Sequence, residues 1–266
     1  MPAELTYEST LRELATDQGV LRYHEAGEGP PLLLLHGSGP GVTGWRNYRG
    51  NLARFAEHFR CLVVVRFLDG LGLDQVDVIG NSMGGIVATQ VALRHPERVR
   101  RLVTIGGIGR NVFSPAPGEG IRLLAEFTDD PTREGLVRWL NSMVYDPRIV
   151  TEEMIEERWK QATDPGTLAS ARRMYGSKAM AARAKAMAAS DEPPYWAMLH
   201  RLKAETLITW GRDDRVSPVD MMLVPMRTIP NVQVNIFPNC GHWVMIEQKS
   251  AWESAVLAFL TRKDER

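Results

Sequence analysis

The sequence predicts an α/β fold: a mostly parallel sheet, helices on both faces and a helical segment inserted after the sixth strand. Three observations predict it. Strand-like apolar runs alternate with helical patterns over residues 1–110 and 203–266. Such alternation builds a parallel sheet covered on both faces. Residues 111–202 are helical in pattern, rich in Arg, Met and Ala, and carry no clear strand. In the stretch VDVIGNSMGGIVATQVAL, a serine sits between glycines where an apolar run ends and a helical pattern starts. The chain therefore divides into a core domain, 1–110 and 203–266, and a helical lid, 111–202. The lid stands over the sheet edge where ligands bind in open α/β sheets.

The elements follow in order. STLRELAT and VLRYHEAG read as strands, separated by the turn signal Asp17-Gln18-Gly19. GEGPP is a turn, and PLLLLHG is a continuous apolar run, as in a strand buried on both faces. NYRGNLARFAEHF is helical, with Leu52, Phe55 and Phe59 on one side. RCLVVV and VDVIG are strands, 84–95 is a helix ended by Pro96, and RLVTIGG is a strand. After the insertion come the strand ETLITWG, the helix-like PVDMMLVPMRTI, the strand VQVNIF and the helix SAWESAVLAFLTR.

Composition excludes several classes. A hydrophobic fraction of 44% in 266 residues supports a sizeable core. Lys+Arg and Asp+Glu balance at 32 each, so no net positive field recruits nucleic acid or an anionic membrane. The start, MPAELTYEST, has no basic region leading into an apolar run, so no secretory signal is expected. No apolar run approaches the roughly 20 residues of a membrane span. Cys61 and Cys240 are the only cysteines and lack ligand spacing, which suggests a reduced, cytoplasmic protein without a disulfide framework or zinc site.

Three chemical stations fall on strand ends. Gly80-Asn81-Ser82-Met83-Gly84 fits G-x-S-x-G, in which a sharp strand-to-helix turn lifts the serine hydroxyl clear of the sheet. The alternative is a tight turn with a passive serine. A serine nucleophile needs a base. His242, in FPNCGHWVMIE just after VQVNIF, is the best placed of six histidines. His36 reads as a packed residue shaping the HGSGPG loop, and His24, His58, His95 and His200 read as ordinary surface or helix-end residues. The base needs an acid to fix its tautomer. WGRDDRVSP offers Asp213 and Asp214, of which Asp214 is preferred by its place in the loop, Asp213 remaining the rival. The order Ser, Asp, His is that of α/β-hydrolases. An oxyanion hole is expected from the backbone amides of Met83, at a helix start, and Ser38, in the glycine-rich HGSGPG loop. A phosphate loop is disfavoured there, because no G-K-S/T follows.

HGSGPGVTGWRNY, GNSMGG, WGRDDRVSP and CGHW together resemble the meta-cleavage product hydrolases of aromatic and steroid ring degradation. The resemblance covers nearly the whole chain, helical lid included. It implies an α/β-hydrolase fold and cleavage of the C5–C6 bond of a 2-hydroxy-6-oxohexa-2,4-dienoate, giving a 2-hydroxydienoate and a carboxylic acid. It further implies that Asn47, Asn81, Trp243 and a lid arginine hold the substrate carboxylate and 2-oxygen. That arginine should be Arg158, in EMIEERWKQ, with Arg172 and Arg173 as other lid arginines. A planar cationic fork plus N–H donors suits such a dianion-like substrate. No metal or organic cofactor is implied, and a homodimer or higher homo-oligomer is. Asn47 read as a turn or cap residue, Trp243 as a pocket wall and Arg158 as a solvated charge are the plainer alternatives. The lid methionines Met143, Met154, Met174, Met180, Met187 and Met198 read as packing and leave the C6 substituent open.

One stretch departs from the family. In relatives the strand matching CLVVV leads into an acidic-Pro-Gly-aromatic-Gly turn and a full crossover helix. Here ten residues, RFLDGLGLDQ, separate Val65 from Val76, and a parallel crossover needs about a dozen or more. Either a deletion leaves the sheet poorly covered, or a loop is missing between Val65 and Arg66, which would then lie far apart; the second is preferred. The competing functions are a carboxylesterase of the same fold and a non-catalytic α/β-hydrolase-fold binding protein.

Overall fold

The computed structural model describes residues 5–16, 19–63 and 72–263. The Val65–Arg66 junction lies outside them. One helical turn, α1 (Tyr7–Thr10), precedes the hairpin strands β1 (Leu11–Thr16) and β2 (Gly19–Ala26). The expected strand STLRELAT thus begins only at Leu11. Thr6 Oγ1 accepts from the Ser9 amide at 3.1 Å and Ser9 Oγ accepts from the Thr6 amide at 2.9 Å. This reciprocal cap turns the first residues helical.

The core continues through β3 (Pro31–Leu35), α2 (Gly44–Ala56), β4 (Arg60–Val63), β5 (Val76–Asn81), α3 (Met83–Arg94) and β6 (Val99–Ile105). Helix α2 starts earlier than its apolar spacing suggests, because Thr43 Oγ1 caps the Arg46 amide at 3.3 Å. The insertion is helical throughout its regular structure: α4 (Glu119–Asp129), α5 (Arg133–Ser142), α6 (Glu152–Ala162), α7 (Pro165–Tyr175), α8 (Ser177–Ala188) and a 3₁₀ turn at Tyr195–Arg201. Then come β7 (Glu205–Gly211), α9 (Leu223–Thr228), β8 (Val232–Phe237), α10 (Val244–Glu247) and α11 (Lys249–Thr261).

Among the described residues the strands form one eight-stranded sheet, ordered β1-β2-β4-β3-β5-β6-β7-β8. β1, β2 and β4 pair antiparallel and the remaining neighbours pair parallel. The mostly parallel sheet is as expected. Leu35 pairs with Gly80 and Asn81 with Ile105, so β3, β5 and β6 end level. Their carboxyl ends deliver the loops of the site to one edge.

Both faces are covered. On one, Leu52 and Phe55 of α2 pack with Trp252 and Val256 of α11, all 0% exposed. The Phe55 and Trp252 rings meet edge to face at 5.6 Å. On the other, small residues of α3, Ala88 and Ala92, let that helix lie close on Val78 and Leu102. Burying each large side chain contributes roughly 2 kcal/mol. Among the described residues no helix is long and apolar enough to cross a membrane.

Asp220 holds the start of the insertion to the core. Its Oδ2 accepts from the amides of Val112, Phe113 and Ser114 at 2.7, 3.0 and 3.2 Å. Its Oδ1 accepts from the Ser114 hydroxyl at 2.5 Å. Burial pushes this carboxyl up, but the hydrogen bonds outweigh it and hold it down at about 2. A depressed carboxyl stabilises the fold above its unfolded value and loses that contribution as pH falls through the folded value. Asp220→Ala is expected to cost about 3 kcal/mol at neutral pH, by orphaning three amides. In urea titrations the wild-type advantage should shrink by about 2 kcal/mol between pH 5 and pH 2. An unchanged urea midpoint would remove this role from Asp220.

Candidate active site

The turn from β5 into α3 places Ser82 at φ 52°, ψ −116°, a left-handed conformation that non-glycine residues rarely adopt. The turn is pinned on both sides. The Ser82 amide donates to Ile105 at 2.8 Å, and the Ser82 carbonyl accepts from Gly85 and Ile86 at 2.9 and 3.1 Å. A Cβ at Gly84 would lie 2.3 Å from the Leu35 carbonyl oxygen. Only glycine lets α3 start so close to β3.

His242 follows β8 and Asp214 follows β7. His242 Nδ1 donates to Asp214 Oδ2 at 2.7 Å, with both side chains 1% exposed. Asp214 Oδ1 accepts from the amides of Val216 and Ser217 at 2.8 Å each. Asp213 turns away: it is half-buried, pairs with Arg212 at 3.2 Å and accepts from the Cys240 amide. So the carboxylate against His242 is that of Asp214.

The tight turn after β6 joins the serine and histidine stations. A Cβ at Gly106 would lie 3.3 Å from His242 Cε1, and one at Gly107, φ +74°, would lie 2.3 Å from the Ser82 carbonyl oxygen. The Tyr195 hydroxyl braces that turn, accepting from the Gly109 amide at 3.2 Å and donating to the Gly107 carbonyl at 3.3 Å. Burial pushes its phenol up to about 12. The histidine loop is tied to the segment after α5. The His242 amide donates to the Met143 carbonyl at 2.8 Å. Glu247 accepts from the amides of Gly241, Tyr145 and Asp146 at 2.6, 2.7 and 3.1 Å. Burial raises the Glu247 carboxyl against those hydrogen bonds.

Ser38 and Met83 meet at one side chain of the helical insertion. The Tyr175 hydroxyl, at the end of α7, hydrogen-bonds Ser38 Oγ and lies 3.4 Å from Met83 Sδ. Arg158, on α6, is 4% exposed. Its guanidinium donates to the Pro40 carbonyl at 3.4 Å and sits 5.4 Å over the Trp243 ring. No carboxylate pairs with it among the described residues, because Glu157 pairs with Arg46 at 3.3 Å. Desolvation, then the nearby Arg46 charge, lowers the Arg158 guanidinium to about 10. Arg172 and Arg173 are exposed instead and bond to Thr128 and Ser170. Trp243 is 2% exposed. Asn47 Nδ2 donates to Asn81 Oδ1 at 3.0 Å, and Asn81 Nδ2 donates to the Ile105 carbonyl at 3.2 Å. Asn47 lies inside α2 rather than at a turn or cap.

His36 Nδ1 donates to the Gly37 carbonyl at 2.6 Å, in keeping with a loop-shaping role. His24 differs from its surface reading. It is 7% exposed on β2, bonded to Thr10 at 2.9 Å and packed against Tyr7 and Trp45. The α1 turn, itself unanticipated, covers it. Tyr175, Tyr195 and Glu247 had no signal in the sequence, since each partners residues far away in the chain. Among the described residues no group of His, Cys, Asp and Glu could hold a metal ion.

The sheet order, the strained serine turn and the buried His–Asp pair at one sheet edge define an α/β hydrolase. A family model described as alpha/beta hydrolase fold matches residues 37–249. The chain belongs, within that superfamily, to the meta-cleavage product hydrolases. It is 33% identical to a 2-hydroxy-6-oxo-6-phenylhexa-2,4-dienoate hydrolase of Burkholderia cepacia, over 94% of each chain. It is 35% identical to a 2-hydroxy-6-oxononadienedioate/2-hydroxy-6-oxononatrienedioate hydrolase of Burkholderia vietnamiensis, over 91% of each chain. It is also similar to the structure of a meta-cleavage product hydrolase from Pseudomonas fluorescens, with a TM-score of 0.82 and 27% identity. That likeness covers 95% of this chain and 98% of the other.

Proposed function

We propose that this chain cleaves the C5–C6 bond of a 2-hydroxy-6-oxohexa-2,4-dienoate, with Ser82 as nucleophile, His242 as base and Asp214 as its orienting acid. The observation that carries the reading is Arg158, a buried guanidinium without a carboxylate partner among the described residues, stacked on the residue that follows His242. A buried cation is costly unless something pairs with it. A substrate carboxylate supplies the pair, whereas a simple neutral ester does not. The relatives, named as hydrolases of such dienoates, point the same way.

In the proposed sequence Arg158 and Trp243 hold the substrate carboxylate. Asn47 and Asn81 brace each other, and each keeps one amide N–H for the 2-oxygen. The bound dienol tautomerises, its hydroxyl proton leaving and a proton arriving at C5. His242 takes the Ser82 proton as Oγ bonds to C6. The oxyanion is held by the amides of Ser38 and Met83. The C5–C6 bond then breaks, its electron pair forms the dienolate, and the proton held on His242 passes to it to give the 2-hydroxydienoate, which leaves His242 neutral again. Water, deprotonated by His242, releases the acyl group from Ser82 as a carboxylic acid. Residues 111–202 act as the lid of this site. The reading extends to a cytoplasmic enzyme that assembles as a homodimer or larger homo-oligomer.

The test is an assay with 6-phenyl and 6-alkyl dienoates in labelled water. The yellow chromophore is expected to bleach, with one solvent oxygen incorporated into the released acid. Intact dienoates alongside rapid aryl-ester hydrolysis would instead make the chain a carboxylesterase.

A further inference from the structure

We propose that Tyr175 is a positioning residue of the reaction: its phenol orients the Ser38 hydroxyl, so that the oxyanion loop is complete only when the lid is seated. The proposal deepens the reading above and rests on it. Ser38 follows β3 and Met83 opens α3, so one lid hydroxyl spans the two core segments that flank Ser82. A phenol has a single proton to donate. Because Ser38 Oγ accepts it, the proton of Ser38 is left for another acceptor. The neighbouring space is that over Ser82: a Cβ on Gly37 would lie 3.3 Å from Ser82 Cβ. Hydroxyls in a chain polarise one another, so a Ser38 hydroxyl that accepts from Tyr175 is a stronger donor to charge developing on the C6 oxygen.

Tyr175 is held where this requires. Arg172, one turn earlier in α7, donates to the Thr128 carbonyl at 3.2 Å, and Asp129 accepts from the Ser177 amide at 3.2 Å. Both anchors belong to α4, so the phenol sits on a braced corner between α7 and α8. Burial raises its ionisation above the ordinary phenol value, and it stays a donor throughout the neutral range. The sequence offered no sign of this contact, since the partners lie 137 and 92 residues away.

The test is a double-mutant cycle of Tyr175→Phe and Ser38→Ala, with kcat and KM measured on a dienoate and on an aryl ester. Tyr175→Phe keeps the ring and removes only the hydroxyl. It is expected to lower kcat about fivefold to tenfold on both substrates, the scale of one lost hydrogen bond, with KM nearly unchanged. In the Ser38→Ala background the same change is expected to have no further effect on kcat. Wild-type kcat in Tyr175→Phe, a loss confined to KM, or a full second loss in the Ser38→Ala background would each overturn the proposal. Should the wild type leave dienoates intact, the proposed substrate fails, while the ester rates still decide the role of Tyr175.

Discussion

Ser82→Ala is expected to lower turnover about ten-thousandfold or more while leaving dienoate binding intact. The serine hydroxyl is the one group whose loss removes the covalent route, and His242 and Asp214 have nothing to activate without it. Binding survives because the groups proposed to hold the substrate carboxylate and 2-oxygen include residues on other elements: Arg158 on α6, Trp243 after β8 and Asn47 on α2. Stopped-flow mixing should therefore show the chromophore shift of bound dienoate without its decay. The turn adds a second readout. Ser82 holds a left-handed backbone at φ 52°, a strain of about 1 kcal/mol or more. Ser82→Gly should release much of it, raising the urea midpoint while being as inactive as Ser82→Ala. Substantial dienoate turnover by either variant would sink the serine mechanism.

What could be read from the chain divides along a physical line. The positions of Ser82, Asp214 and His242 were legible because each lies just beyond an apolar strand, and the strand alone delivers it to the sheet edge. The choice of Asp214 over Asp213 was only a preference until the backbone was seen. The amides of Val216 and Ser217 hold one oxygen of Asp214 and aim the other at His242. The helical insertion was legible as a break in strand–helix alternation. Groups defined by a distant partner were not. Asp220 clamps residues more than a hundred positions earlier, and Glu247 ties the histidine loop to the segment after α5. Neither has a local pattern that distinguishes it from a solvated carboxylate. His24 was misread for the same reason, since its cover, α1, is built by a cap rather than by apolar periodicity.

Arg158→Met is expected to make the free protein more stable and the enzyme much worse. Holding a guanidinium down at about 10, well below its ordinary range, corresponds to about 3 kcal/mol of unfavourable burial. For a cation whose folded value is depressed, that cost is present in full below about 10 and relieved only as pH rises toward the ordinary guanidinium value, so it applies throughout the neutral range. Methionine matches the length of the stem, removes the charge and keeps contact with the Trp243 ring. The weak hydrogen bond to Pro40, at 3.4 Å, is the main loss. A net gain of about 1–2 kcal/mol should raise Tm by a few degrees in ligand-free protein. With dienoate the sign reverses, because a desolvated charge pair that loses one partner costs about 2–5 kcal/mol. kcat/KM should fall about 100-fold or more, mostly through KM, whereas hydrolysis of a neutral aryl ester should be nearly untouched. A lower Tm with unchanged kcat/KM for the dienoate would make Arg158 a structural residue and remove the strongest reason for choosing a carboxylate substrate. The expected pairing, higher stability with lost selectivity, would instead identify the uncompensated charge as what the free fold tolerates in order to recognise the dienoate.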